Sequence, residues 1–121
     1  EVTEASLKQA PGICFTRDDH LNIRLFEQMF DSVPEDMPTH YVPSSAMFIS
    51  MLRTGTAYGM LPKDQSEPLV DNGEIRDLVP DCKVRVDLYW HCWNLNSRLL
   101  NRLTQEVLDG FKRIHRPFGC S

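Results

Sequence analysis

Apolar residues recur at helical spacing in three stretches of the chain and alternate in single steps in others. Leu21, Leu25, Phe26, Met29 and Phe30 mark one face of a helix that follows Asp19. Met47, Phe48, Met51 and Leu52 do the same after Ser44 and Ser45, either of which can cap the helix with its hydroxyl. The longest stripe runs Leu95, Leu99, Leu103, Val107, Phe111 and Ile114, widened by Leu100 and Leu108. Its cap is expected at Asn94 or Asn96. Lys112, Arg113, His115 and Arg116 suit the negative end of its dipole, and Pro117 and Gly119 end it.

Between these helices lie short extended runs. Ile13 to Thr16 reads as a buried strand, Tyr41 and Val42 as the strand before Pro43, and Thr56 to Leu61 as a third that Pro62 stops. Gly55 lets the chain leave its helix in the left-handed conformation. The piece from Tyr41 to Pro62 is thus one βαβ unit, whose crossover joins parallel strands. A short helix capped by Thr3 precedes it, running to Gln9 before the Pro11-Gly12 turn, and Asp31 to Pro38 is a surface loop. Lys63 to Asn72 reads as a helix that Asn72-Gly73 ends, with Pro68 tolerable if it starts late or is kinked. Glu74 to Val79 reads as a brief strand. Val84, Val86, Leu88 and Trp90 alternate with Arg85, Asp87, Tyr89 and His91, the period of a strand with unlike faces. Helices and strands alternating in this way predict an α/β fold with a mainly parallel sheet. The last strand and the long helix have too few partners of their own in this chain.

Composition narrows the function without naming it. The chain has 121 residues, enough for one domain, with 25% charged and 41% hydrophobic residues and a net charge of −4. That balance argues against this chain holding nucleic acid by itself, since phosphate binding needs a cationic face. No apolar run approaches the roughly 20 residues that cross a bilayer. The start carries no signal-peptide pattern, so the chain is expected to begin within something longer or to be processed. Cys14, Cys82, Cys92 and Cys120 form no CxxC pair, which favours reduced cytoplasmic thiols over a disulfide framework. His91 and Cys92 are adjacent and cannot share a metal from one strand, so no metal or other cofactor is expected. No nucleophile elbow or phosphate loop occurs, and a Cys14–His20 dyad has nothing to orient it; the chain does not read as an enzyme.

The order FTRDDHL, YVPSSAMFISMLRTGTAYGMLP, GEIRDLVP and VDLYWHCWNLNSRLLNRLTQEVLDG resembles the C-terminal part of LysR-type transcriptional regulators. Asp18-Asp19 and Tyr89-Trp90-His91 make it most similar to the arginine-export regulators, also called inhibitors of chromosome initiation. The resemblance implies an effector domain of two Rossmann-like subdomains, similar to periplasmic solute-binding proteins. On that basis residues 1–10 are a lead-in helix at the hinge and 11–80 the second subdomain. Residues 81–121 are the returning strand and helix of an incomplete first subdomain. DNA would be held only through a winged helix-turn-helix absent from this sequence, in a cytoplasmic protein with no membrane contact.

The family binds a small effector between its subdomains, which implies a wall at the end of strand Ile13–Thr16, the start of helix Asp19–Phe30 and the Ser44-Ser45 turn. That matches the rule that ligands sit at strand C-terminal ends where the sheet order switches. Ser44 and Ser45 can bind an effector carboxylate or simply cap their helix. Asp18 and Asp19 can pair with the basic end of lysine or arginine, or serve as one cap and one solvated charge. Thr16 and Arg17 border the same place. Tyr58 and Met60 read as packing, Trp90 as core, and Trp93 as rim or subunit contact. The alternative readings are a lobe of a solute-binding protein and, more weakly, an enzyme of the related fold. The uncovered stripe from Leu95 to Ile114 predicts a homodimer or higher oligomer.

Overall fold

A computed structural model describes residues 2 to 114. It resolves into two compact units, Glu1–Arg85 and Val86–Ser121, each taken by itself below.

The first unit is built on a three-stranded parallel sheet of order β2-β1-β3, with β1 at Gly12–Cys14, β2 at Thr39–Tyr41 and β3 at Tyr58–Gly59. Helix α1 (Glu4–Gln9) leads in, held by a capping box in which Thr3 and Ser6 satisfy each other's backbone amides. Helix α2 (Leu21–Phe30) joins β1 to β2, α3 (Ser45–Arg53) joins β2 to β3, and α4 (Lys63–Asp71) follows. The first crossover moves to one side of β1 and the second returns past it. Two crossovers of one hand must then place their helices on opposite faces. The contacts agree. Asn22 of α2 reaches Cys14, while Phe48 of α3 and the Ile13 side chain both border Gly59.

The core follows from this layering. On the α2 face Leu7, Phe26 and Tyr58 pack together, joined by Met29, Phe30 and Met37. The Tyr58 hydroxyl donates to the Leu7 carbonyl at 3.3 Å, so Tyr58 is a packing residue, as its sequence context suggests. On the α3 face a Cβ on Gly59 would lie 2.8 Å from both Ile13 Cγ1 and Phe48 Cζ, so only glycine lets α3 approach the sheet here. Gly55 takes φ +69° just beyond α3, the left-handed exit its position predicts.

Several boundaries differ from the sequence pattern. β1 starts at Gly12 and stops at Cys14, because the chain turns at Thr16–Asp19. Its partner begins at Thr39 and stops at Tyr41. Helix α2 begins at Leu21 rather than Asp19. Pro68 lies inside α4, where its ring nitrogen leaves one helical bond unmade. Glu74 to Val79 makes no strand. Its first residues instead close α4, with Glu74 and Ile75 amides donating to the Leu69 carbonyl.

The segment Val84 to Trp90, which begins in the first unit and runs into the second, forms no ladder, although its alternation is that of a strand. A strand needs a neighbour to take its amides and carbonyls, and none pairs with it among the described residues. Trp90 is correspondingly half exposed rather than core, its indole N–H donating to Thr104 Oγ1 at 3.3 Å, and Trp93 is exposed. Helix α5 spans Arg98–Ile114, and Ser97 accepts the Leu100 and Asn101 amides at its start, in place of either asparagine. Leu99, Leu103, Phe111 and Ile114 are all exposed. The predicted features at His115, Arg116, Pro117, Gly119 and Cys120 lie outside the described residues. Among the described residues, no helix is long and apolar enough to cross a membrane.

Candidate functional site

Parallel pairing puts the ends of β1 and β2 on one edge, because Cys14 and Tyr41 are in register. The segments holding Thr16 to Asp19 and Ser44-Ser45 therefore both leave from that edge. Pairing also sets the faces: Gly12, Cys14, Thr39 and Tyr41 all turn toward α2. Between this face and α2 lies a hollow of about 220 Å³. Cys14, Arg17, Asp19, Asn22, Glu35 and Tyr41 contribute to its lining.

Of the residues singled out from the sequence, Arg17 and Asp19 line the hollow; Thr16, Asp18, Ser44 and Ser45 do not. Each has a definite place. Thr16 is exposed and its carbonyl accepts the Asp19 amide at 3.2 Å, closing the turn. Asp18 is exposed at the tip of that turn, with no hydrogen bond or ion pair among the described residues. Ser44 caps α3, its hydroxyl accepting from the Met47 amide at 3.5 Å, and Ser45 is the exposed first residue of that helix. The capping role of Ser44 is therefore realised.

Asp19 is occupied. Its Oδ2 accepts the Phe15 amide at 2.9 Å and its Oδ1 the Leu21 amide at 3.1 Å. One carboxylate thus ties the end of β1 to the start of α2, satisfying an orphan first-turn amide on the way. Arg17 lies with its guanidinium 5.1 Å from the centre of the Tyr41 ring, a cation–π contact that leaves its N–H edge for an anion. It makes no ion pair with another described residue.

Asn22 was not foreseen. It is 4% exposed, and its Nδ2 donates to the Ile13 carbonyl at 3.0 Å and to Cys14 Sγ at 3.4 Å. The Ile13 carbonyl can only accept, so the amide nitrogen must face it and the orientation of the side chain is fixed. Its Oδ1 is then buried with no partner among the described residues. An orphan of this kind costs about 1–3 kcal/mol. The signal was present in the sequence: Asn22 stands three and four positions before Leu25 and Phe26, a polar residue on the buried stripe. Beside it the Cys14 thiol has a raised pKa, mainly through burial, then through the charge of Asp19, with the Asn22 donor opposing. A thiol held neutral in this way is a poor nucleophile.

The location departs from the expected one in one respect. The sheet order reverses between β1 and β3, whereas the hollow lies off β1 and β2. It is also smaller than the roughly 300–1,000 Å³ of drug-sized sites, which suits a ligand of amino-acid size.

No family model matches the chain. Individual relatives do. The HTH-type transcriptional regulator ArgP of Salmonella typhi is 36% identical over 108 residues, covering 89% of this chain and 36% of its own length. That of Erwinia tasmaniensis is 36% identical over 115 residues, covering 95% and 38%. A crystal structure of ArgP from Mycobacterium tuberculosis superposes with a TM-score of 0.76 at 30% identity, over 88% of this chain and 36% of that one. The chain is an ArgP-like segment of the LysR type. It spans little more than a third of the curated ArgP relatives it matches. The ArgP likeness agrees with the α/β, Rossmann-like architecture and with the resemblance carried by Asp18-Asp19 and Tyr89-Trp90-His91. The relatives are named as regulators and not as enzymes.

Proposed function

We propose that this ArgP-like chain is the effector-sensing part of a cytoplasmic LysR-type transcriptional regulator and that it responds to a basic amino acid, lysine or arginine. Residues 11–80 form the second effector subdomain, and residues 81–121 return to the first. DNA is engaged by a winged helix-turn-helix outside this sequence. The ArgP relatives favour this reading over a solute-carrier lobe. The observation that carries the site is the hollow itself, which has on its lining the Arg17 guanidinium, without an ion pair among the described residues, and carboxylates from Asp19 and Glu35 close by. Such a mixed lining fits a zwitterion with a second positive group. Arg17 takes the carboxylate, and Asp18, exposed on the same turn, adds attraction for the basic end. Ser44 and Ser45 lie outside the hollow, off the same sheet edge, where they meet any part of the effector that extends past it. Binding then favours one arrangement of the effector domain over another, a population shift.

Calorimetric titration with L-lysine and L-arginine tests the reading. Heat with either amino acid, weakened in Arg17→Gln and Asp18→Asn, supports it; no heat with a folded sample removes the effector assignment.

A further inference from the structure

Resting on the basic-amino-acid reading, we infer that Asn22 is the residue that recognises the basic end of the ligand: its Oδ1 accepts the side-chain ammonium or guanidinium, and Arg17 holds the carboxylate. Three observations lead there. Asn22 lines the hollow, yet only its nitrogen is engaged, by the Ile13 carbonyl and Cys14 Sγ. Its Oδ1 is buried without a partner among the described residues. The carboxylate nearest in sequence, Asp19, has already given both oxygens to backbone amides. The hollow therefore offers one unspent buried acceptor in addition to its surface charges. A neutral amide oxygen there takes a hydrogen-bond donor without bringing a second buried negative charge beside the Cys14 thiol. The ligand class is narrowed accordingly, to an α-amino acid whose side chain ends in an N–H donor. An apolar side chain of the same length would leave Oδ1 orphaned and is rejected.

The test is a heteronuclear NMR titration of the 121-residue chain with L-lysine, L-arginine and L-norleucine, which keeps lysine's carbon chain but lacks its ammonium. The Asn22 side-chain NH2 signals are the direct probe, and the backbone amides of Phe15 and Leu21 report the surrounding clasp. Lysine and arginine are expected to move the Asn22 signals, with norleucine binding at least about tenfold more weakly. If norleucine matches lysine, or if lysine moves the clasp amides and leaves the Asn22 side chain unmoved, the Asn22 assignment is overturned while the sensor reading stands. If neither lysine nor arginine moves any signal of this unit, the sensor reading falls and the Asn22 assignment falls with it. Because the ligand is varied rather than the protein, no outcome depends on whether a substituted Asn22 still folds.

Discussion

Asp19 Oδ2 accepts the Phe15 amide at 2.9 Å, across the turn that separates the first strand from its helix. With Oδ1 on Leu21, the carboxylate is a structural clasp. Asp19→Ala should destabilise the fold by about 1–2 kcal/mol, since a cap and a loop bond are lost together. Asp19→Asn should lose most of this as well, because an amide turns an N–H toward one of two donors. Urea unfolding measures both. Asp18→Asn, on an exposed residue without described partners, should stay within about 0.5 kcal/mol of the parent. Asp18 therefore reports charge on the ligand, and Asp19 reports folding.

Gly59→Ala should be among the most damaging single substitutions in the first unit. The new methyl would meet Ile13 Cγ1 and Phe48 Cζ at 2.8 Å and the Ile13 carbonyl at 3.1 Å. Overpacking of this kind costs about 1–3 kcal/mol. Gly55→Ala meets no neighbour but must hold φ +69°, at about 1–2 kcal/mol. Thermal unfolding of the two variants should place Gly59→Ala at least as low as Gly55→Ala.

Cys14 and Tyr58 both have raised pKa values, each mainly through burial, with each adjacent to a further negative source: Asp19 for Cys14 and Cys14 for Tyr58. An acid held neutral in the fold contributes stability that is full below its unfolded pKa and lost as pH rises toward the folded one. The loss should begin near the ordinary thiol value of about 8.5 and deepen from about 10 as Tyr58 joins. Urea midpoints from pH 7 to 10 should fall, and the earlier part of the fall should be smaller in Cys14→Ala. The same burial orders thiol chemistry: iodoacetamide should label exposed Cys92 well before Cys14. Equal labelling rates would contradict the buried, neutral thiol.

Leu99, Leu103, Phe111 and Ile114 are all exposed along one helix, between 41% and 78% of their surface open. Such a stripe predicts concentration-dependent self-association of this chain. Sedimentation should show it, with Leu99→Ser and Leu103→Ser shifting the chain toward monomer. A clean monomer at high concentration would count against it.

Much of this was legible from residue order, and what was not has physical causes. Leu25, Phe26 and Phe48 declared their helices through spacing, and Gly55 its exit, because those signals are local. Val84 to Trp90 also carried a strand's alternation, but pairing is a property of two segments and no alternation supplies the second. Asp18 and Asp19 looked equivalent as neighbours; which of them was free depended on where the Phe15 amide pointed. Glu35 and Tyr41 could not have been grouped with Arg17, since they meet only once β2 pairs with β1. Asn22 was the readable exception, a polar residue in an apolar stripe, and its meaning needed the Ile13 carbonyl in place.

The most direct measurement is a crystal structure of the chain with L-arginine or L-lysine. Sensing at this site predicts density for the amino acid between α2 and the sheet, with its carboxylate at Arg17 and its basic end at Asn22. The same ligand bound elsewhere, or a hollow holding only water at saturating ligand, would contradict it.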